Sequence, residues 1–252
     1  MDIEGKVVVV TGAARGLGRR FARRFAELGA AVAVCDLRAC EETAALCRET
    51  GAAALAVQCD VADAGDTERM AAAVAARLGE AHVLVNNAAA LGSLAFAPFD
   101  EIPEQDWDLA MRVNVKGAWL ASRALVPHMR ARGGGSIVNV SSLAAVYGMA
   151  NGLHYTTSKA ALIGLTRGLA REVGRYGVRV NAVAPAVVDT EGAREFFGAR
   201  AGKVMDATLA MQALRRPLSE DDLFGTVLYL ASDLSAHTTG QTIMVDGGSV
   251  FL

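Results

Sequence analysis

Aromatic residues make up only 6% of the 252-residue chain, cysteines number 4 and prolines 5. The shortage of aromatics leaves the 52% hydrophobic content mostly to small Ala, Val and Leu, enough for a buried core and too much for disorder to dominate. Cys35, Cys40, Cys47 and Cys59 all fall in the first quarter of the chain without a C-x-x-C pair. That excludes a disulfide scaffold and points to reduced thiols in a cytoplasmic protein. Neither sign of charge is in excess, since 25 Lys and Arg face 27 Asp and Glu; the electrostatic footprint of a nucleic-acid binder is missing. No apolar run reaches the roughly 18 residues of a membrane span. The opening Met1-Asp2-Ile3-Glu4-Gly5-Lys6 lacks the basic-then-apolar pattern of a secretion signal. His82, His128, His154 and His237 are scattered without ligand spacing, so no metal site is expected.

Short β-branched runs alternating with Ala-rich helical stretches are what the chain does contain. Strands are predicted at residues 7–11, 31–36, 54–60, 82–86, 136–141, 178–184 and 242–245, and helices at 16–28, 41–50, 67–78, 103–129 and 155–176. Strand runs apolar on both faces belong to a parallel sheet covered by helices on each side, an α/β doubly wound seven-stranded sheet. At about 150 residues per domain the length suits one or two domains, and the absence of a linker, a repeat or a composition shift favours one over 1–252. Residues 187–218 form the least regular stretch, a substrate-loop insertion too long for a bare connection.

Thr11-Gly12-Ala13-Ala14-Arg15-Gly16-Leu17-Gly18 follows the first strand and opens the first helix. Glycines there let the backbone approach a pyrophosphate, which the helix N-terminus attracts. The spacing is G-x-x-x-G-x-G, so Gly12, Gly16 and Gly18 depart from the G-x-G-x-x-G fingerprint. Asp36 ends the second strand eighteen residues past Gly18, where a carboxylate receives the adenosine ribose hydroxyls. A carboxylate repels the 2′-phosphate of NADP, whereas Arg15 and Arg38 suit phosphate. The close like-charge contact outweighs flexible solvated arginines, so NAD is the expected cofactor and NADP the lesser one. Arg19, Arg20, Arg23 and Arg24 read as a solvated helix face rather than a nucleic-acid patch.

Tyr155 and Lys159 stand at i and i+4 on one helix face, and Ser142 follows a strand end thirteen residues before Tyr155. An ammonium beside a phenol stabilises phenolate and draws its pKa toward the physiological range. Such a tyrosine can take an alcohol proton as hydride leaves, or return one in reverse, with Ser142 holding the substrate oxygen.

Together these segments resemble the short-chain dehydrogenase/reductase family over nearly the whole chain. The resemblance rests also on Asp60-Val61, Asn86-Asn87-Ala88-Ala89, Asn114, Ser141-Ser142, Tyr155-Thr156-Thr157-Ser158-Lys159, residues 181–190, Gly240-Gln241-Thr242 and Val245-Asp246-Gly247-Gly248. It implies a Rossmann domain with Asn114, Ser142, Tyr155 and Lys159 as catalytic tetrad. In such enzymes the lysine also holds the nicotinamide ribose, and Asn114 helps carry a water relay to it. Asp60 and Val61 would meet the adenine, Asn87 the adenosine side, and Val188 and Thr190 the nicotinamide; Leu17, Leu37, Arg15 and Tyr155 count with the cofactor site. Ala89 stands where the family has the glycine closing N-N-A-G, and Ala186 where it has the glycine after Pro185. Each adds a methyl group and removes no catalytic group.

By the same resemblance the pocket wall would come from residues 91–97, 143–154 and 187–216. Its expected lining (Leu91, Leu143, Tyr147, Met149, Leu153, Phe196, Phe197, Met205, Met211) is apolar and suits a hydrophobic secondary alcohol, diol or ketone. Phe196-Phe197 could equally pack the insertion against the body, and His154 is a packed or solvated ring before it is a substrate contact. The reading is an NAD-dependent alcohol dehydrogenase, with an NADPH-dependent 3-oxoacyl-thioester reductase and a catalytically silent NAD-binding regulator as alternatives. The resemblance also implies a homotetramer built through residues 103–129 and 155–176 and the apolar tail Gly248-Ser249-Val250-Phe251-Leu252.

Overall fold

The structure, a computed structural model, describes residues 3–251. Seven strands form one sheet: β1 Val7–Thr11, β2 Ala31–Asp36, β3 Ala54–Gln58, β4 Val83–Asn86, β5 Gly135–Val140, β6 Val178–Pro185 and β7 Thr242–Val245, ordered β3-β2-β1-β4-β5-β6-β7. Every pairing is parallel, which requires a crossover between successive strands. The chain runs outward from β1 to β3, then returns to lay β4 on the other side of β1. The carboxyl ends of β1 and β4 therefore splay apart at the point where the strand order reverses, the ligand crevice of such sheets.

Helices α1 Gly16–Glu27, α2 Glu41–Arg48 and α10 Glu220–Ala231 cover one face; α3 Ala64–Leu78, α5 Ala118–Ala131 and α7 Leu153–Val173 cover the other. All five residues of β1 are buried, so its unbroken valine run feeds both cores. Phe21 and Phe25 of α1 are fully buried, and Phe25 meets Phe224 of α10 edge-on at 5.0 Å. Each such phenyl stabilises the fold by about 1.5–3 kcal/mol through burial. These few aromatics hold α1, and with it the glycine turn, against the sheet. Among the described residues, no helix is long and apolar enough to cross a membrane.

Two expectations about local structure are corrected. Residues 103–129 are not one regular helix: α4 Glu104–Ala110 passes into a π-helical segment, Met111–Gly117, before α5. Apolar periodicity near 3.6 cannot announce such a wide turn, and π segments often accompany functional sites. Residues 187–218 are ordered rather than irregular, with α8 Glu191–Phe197 and α9 Ala201–Met211. Thr190 caps α8 by accepting from the Ala193 N–H at 3.2 Å, and a bridge between Val188 and Leu218 pins the two ends of the insertion together. Other boundaries shift by a few residues; α3 starts three residues early because Asp63 caps it, accepting from the Asp66 N–H. Met1, Asp2 and the last residue of the apolar tail, Leu252, lie outside the described residues, while Phe251 is exposed.

Candidate active site

A cleft of about 770 Å³ opens at the carboxyl ends of the strands, and all the expected site residues except Gly18 and Asn114 line it. At its centre is the turn between β1 and α1. Gly12 has a φ of +65°, and a Cβ there would come within 2.6 Å of the Ala88 Cα in the loop after β4. Gly18 sits behind the turn, where a Cβ would fall on the Gly12 carbonyl oxygen and within 2.8 Å of the Ala13 Cα. Asn87 locks the arrangement by donating from Nδ2 to the carbonyls of Thr11 at 2.9 Å and Gly12 at 3.0 Å. Its amide is thus spent on the turn. No side chain caps the first turn of α1, so its N–H groups and dipole are free for an anion. The glycine cradle and the uncapped helix fit a dinucleotide pyrophosphate. Gly18→Ala is expected to cost at least 2 kcal/mol of stability, because overpacking against backbone typically costs ~1–3 kcal/mol. Urea unfolding checks this: an unchanged midpoint contradicts the close packing.

One end of the cleft is lined by Asp36, Leu37, Arg38, Asp60 and Val61. The Asp36 carboxylate accepts from the Ala14 N–H and from the Arg38 N–H, both at 2.9 Å, which fixes its direction beside the glycine turn. Asp60 is held by a short loop, with its Oδ1 accepting from the Ala62 N–H at 2.8 Å. Arg15 reaches α8, where it pairs with Glu195 and Glu191. Arg19, Arg20, Arg23 and Arg24 pair with Glu42, Asp221 and Glu27, so that helix face is a network of internal ion pairs. The four cysteines are free and buried. Burial pushes the Cys59 thiol, at the cleft wall, up to about 12, away from reactive thiolate.

The other expected set, Ser142, Tyr155 and Lys159, is carried by β5 and α7. Ser142 follows β5, and its Oγ accepts from the Ala144 N–H at 3.2 Å, at the start of α6 Ala144–Tyr147. Tyr155 and Lys159 lie one turn apart on α7, which is docked to β5 by Ser141 Oγ donating to the Lys159 carbonyl and Asn139 Nδ2 donating to Thr166 Oγ1, both at 2.8 Å. The Lys159 Nζ donates to the Val140 carbonyl at 2.7 Å and stands 5.7 Å from the centre of the Tyr155 ring. Burial pushes the Lys159 ammonium down to about 8 and the Tyr155 phenol up to about 12, the latter opposed by hydrogen bonding to Ser142. The expected pull of the ammonium on the phenol is therefore corrected: desolvation dominates both groups in this geometry. Asn114, on the π segment, lies behind the cleft; its Oδ1 accepts from the Ala90 N–H at 2.7 Å and its Nδ2 donates to Ser158 Oγ at 2.9 Å. It thereby ties the loop after β4 to α7.

Of the apolar lining expected, Leu91, Leu143, Tyr147, Met149 and Phe197 face the cleft, joined by Leu109, Val113 and Thr208. Leu153 and Met211 are exposed, and Met205 does not line the cleft either: α9 turns Thr208 to it instead. Phe196 packs edge-on against Phe96 at 5.3 Å and lies 6.0 Å from the Tyr155 ring, so the two phenylalanines divide between lid packing and cleft wall. His154 is fully buried against Phe196, with neither ring nitrogen hydrogen-bonded; it is a packed ring outside the cleft. Ala89 and Ala186 both line the cleft. Sequence reasoning did not single out Glu191 and Glu195, because nothing local marks a glutamate on a short helix as the partner of an arginine about 180 residues away.

The family model described as Enoyl-(Acyl carrier protein) reductase matches residues 12–250. A D-threitol dehydrogenase of Mycolicibacterium smegmatis is 38% identical, covering 98% of this chain and 93% of its own. The 3-oxoacyl-[acyl-carrier-protein] reductase FabG of Thermotoga maritima is 35% identical, covering 99% of this chain and all 100% of its own. Among solved structures, an NAD+-bound xylitol dehydrogenase superimposes with a TM-score of 0.91 at 31% identity, covering 98% of this chain and 100% of that one.

Proposed function

The chain belongs to the short-chain dehydrogenase/reductase family of oxidoreductases, and on that premise we propose that it transfers hydride between NAD(H) and a hydrophobic secondary alcohol, diol or ketone. The observation that carries this reading is one cleft with Asp36 beside a glycine turn at one end and Ser142, Tyr155 and Lys159 at the other. Gly12, Gly16 and the first turn of α1 hold the pyrophosphate, Asp36 the adenosine ribose, Asp60 and Val61 the adenine, and Val188 and Thr190 the nicotinamide. When bound, the dinucleotide accepts or supplies the hydride.

The chain's own residues handle the proton. Ser142 holds the substrate oxygen, and Tyr155 takes the hydroxyl proton in oxidation or returns it in reduction. Lys159 leans over the phenol and meets the nicotinamide ribose. Asn114 keeps the loop after β4 in register with α7 and lies on the relay toward Lys159. Residues 1–252 act as one cofactor-binding and catalytic unit in the cytoplasm, with the 187–218 insertion as its substrate lid. The exposed Phe99, Trp107 and Trp119 supply apolar surface for a homotetramer.

The walls formed by Leu91, Leu109, Val113, Leu143, Met149 and Phe197 favour an apolar substrate over the polyols that some relatives are named for. A cyclic secondary alcohol is expected to show kcat/KM at least tenfold above xylitol or threitol, since each buried methylene is worth about 0.8 kcal/mol. Equal or better turnover of the polyols contradicts the apolar reading. The second reading, an NADPH-dependent 3-oxoacyl-thioester reductase, is favoured by the likeness to the Thermotoga maritima enzyme and opposed by Asp36.

A further inference from the structure

Two arginines could offset Asp36 and welcome a 2′-phosphate, since an arginine near the ribose accommodates that group. Arg15 is the better placed, because it directly follows Ala14, whose N–H is held by Asp36. Its guanidinium is engaged elsewhere. Nη1 and Nη2 donate to the two carboxylate oxygens of Glu195 at 2.5 and 2.6 Å, and Nη1 also reaches Glu191 at 3.2 Å. A planar fork closed on both oxygens of one carboxylate is the strong form of this contact. Glu195 is held from the other side by the loop after β4, where a Cβ on Gly92 would fall on its carboxylate. The lid helix thus reaches over the glycine turn, and Arg15, Glu191 and Glu195 all line the same cleft.

We infer that Glu195 is a determinant of cofactor choice, acting by holding Arg15 on the lid helix and away from the adenosine 2′ position. Asp36 repels the 2′-phosphate directly; Glu195 withdraws the cation that would offset that repulsion. This rests on the reading of Asp36 as the ribose contact. Arg38, the remaining cation near Glu195, keeps its backbone N–H on Asp36.

The test is equilibrium titration of NADH and NADPH, followed by their own fluorescence, into the wild type, Glu195→Ala, Arg15→Ala and the double variant. No substrate is needed. Glu195→Ala is expected to shift the affinity ratio toward NADPH by about fivefold, in keeping with one well-aligned but partly exposed ion pair. In the double variant the ratio returns to that of Arg15→Ala. An unchanged or oppositely shifted ratio in Glu195→Ala overturns the proposal, and so does a shift that persists without Arg15. A wild type that already prefers NADPH would overturn the NAD reading alone, because the Glu195 effect is scored as a change from wild type.

Discussion

Tyr155→Phe is expected to lower kcat by about 10³-fold in both directions, within the 10²–10⁴ that a positioned acid–base group contributes. The phenol is half-buried in the cleft wall, its ring near Phe196, so loss of one oxygen leaves the packing in place. Dinucleotide affinity, read from the fluorescence of bound NADH, should stay within about twofold, since the variant removes one oxygen and keeps the ring. The pH profile gives the sign. Oxidation needs phenolate, and burial pushes the phenol up to about 12, so oxidation should rise about tenfold per pH unit from neutrality. Reduction uses the protonated phenol and should stay level over the same range. Substantial activity in Tyr155→Phe, or an oxidation rate that falls as pH rises from 7 to 8, removes Tyr155 from the role of proton acceptor.

Asp36→Asn is expected to move the NADPH-to-NADH affinity ratio by thirtyfold or more toward NADPH. A carboxylate about 4 Å from a further unit negative charge costs roughly 4 kcal/mol at an effective dielectric of ~20, and salt screening trims this. Even half of that is about thirtyfold. The amide oxygen of Asn can still accept from the Ala14 N–H, so the turn keeps its anchor. Titration with both reduced cofactors reads the ratio. A ratio that does not move shows that the carboxylate does not face the ribose.

What the sequence made legible, and what it did not, follows from the range of the interactions involved. The glycine turn, the Asp36 position and the Tyr155–Lys159 spacing are local: each depends on residues within one turn, one strand end or one βα unit. The parallel sheet was legible because strands buried on both faces, such as β1, carry unbroken apolar runs. The π segment was not, because a wide turn preserves helical apolarity while re-aiming one side chain, here Asn114 onto Ala90. Helices α8 and α9 were hidden by Gly192, Gly198 and Gly202, which read as loop, whereas the Thr190 cap and the Val188–Leu218 bridge order them. The Arg15–Glu195 pair and the opposed shifts of Tyr155 and Lys159 depend on tertiary burial. Spacing along the chain holds no information about desolvation.

The most direct test of hydride transfer is absorbance at 340 nm with NAD, then NADP, over secondary alcohols, diols, hydroxysteroids and 3-hydroxyacyl thioesters. NADH formation from a hydrophobic alcohol is the expected result, with NADP supporting a kcat/KM about thirtyfold lower, in keeping with a screened like-charge contact of ~2 kcal/mol. Activity confined to NADP and acyl thioesters would contradict it in favour of the thioester reductase. NAD binding without turnover across the panel would leave only a dinucleotide-binding regulator.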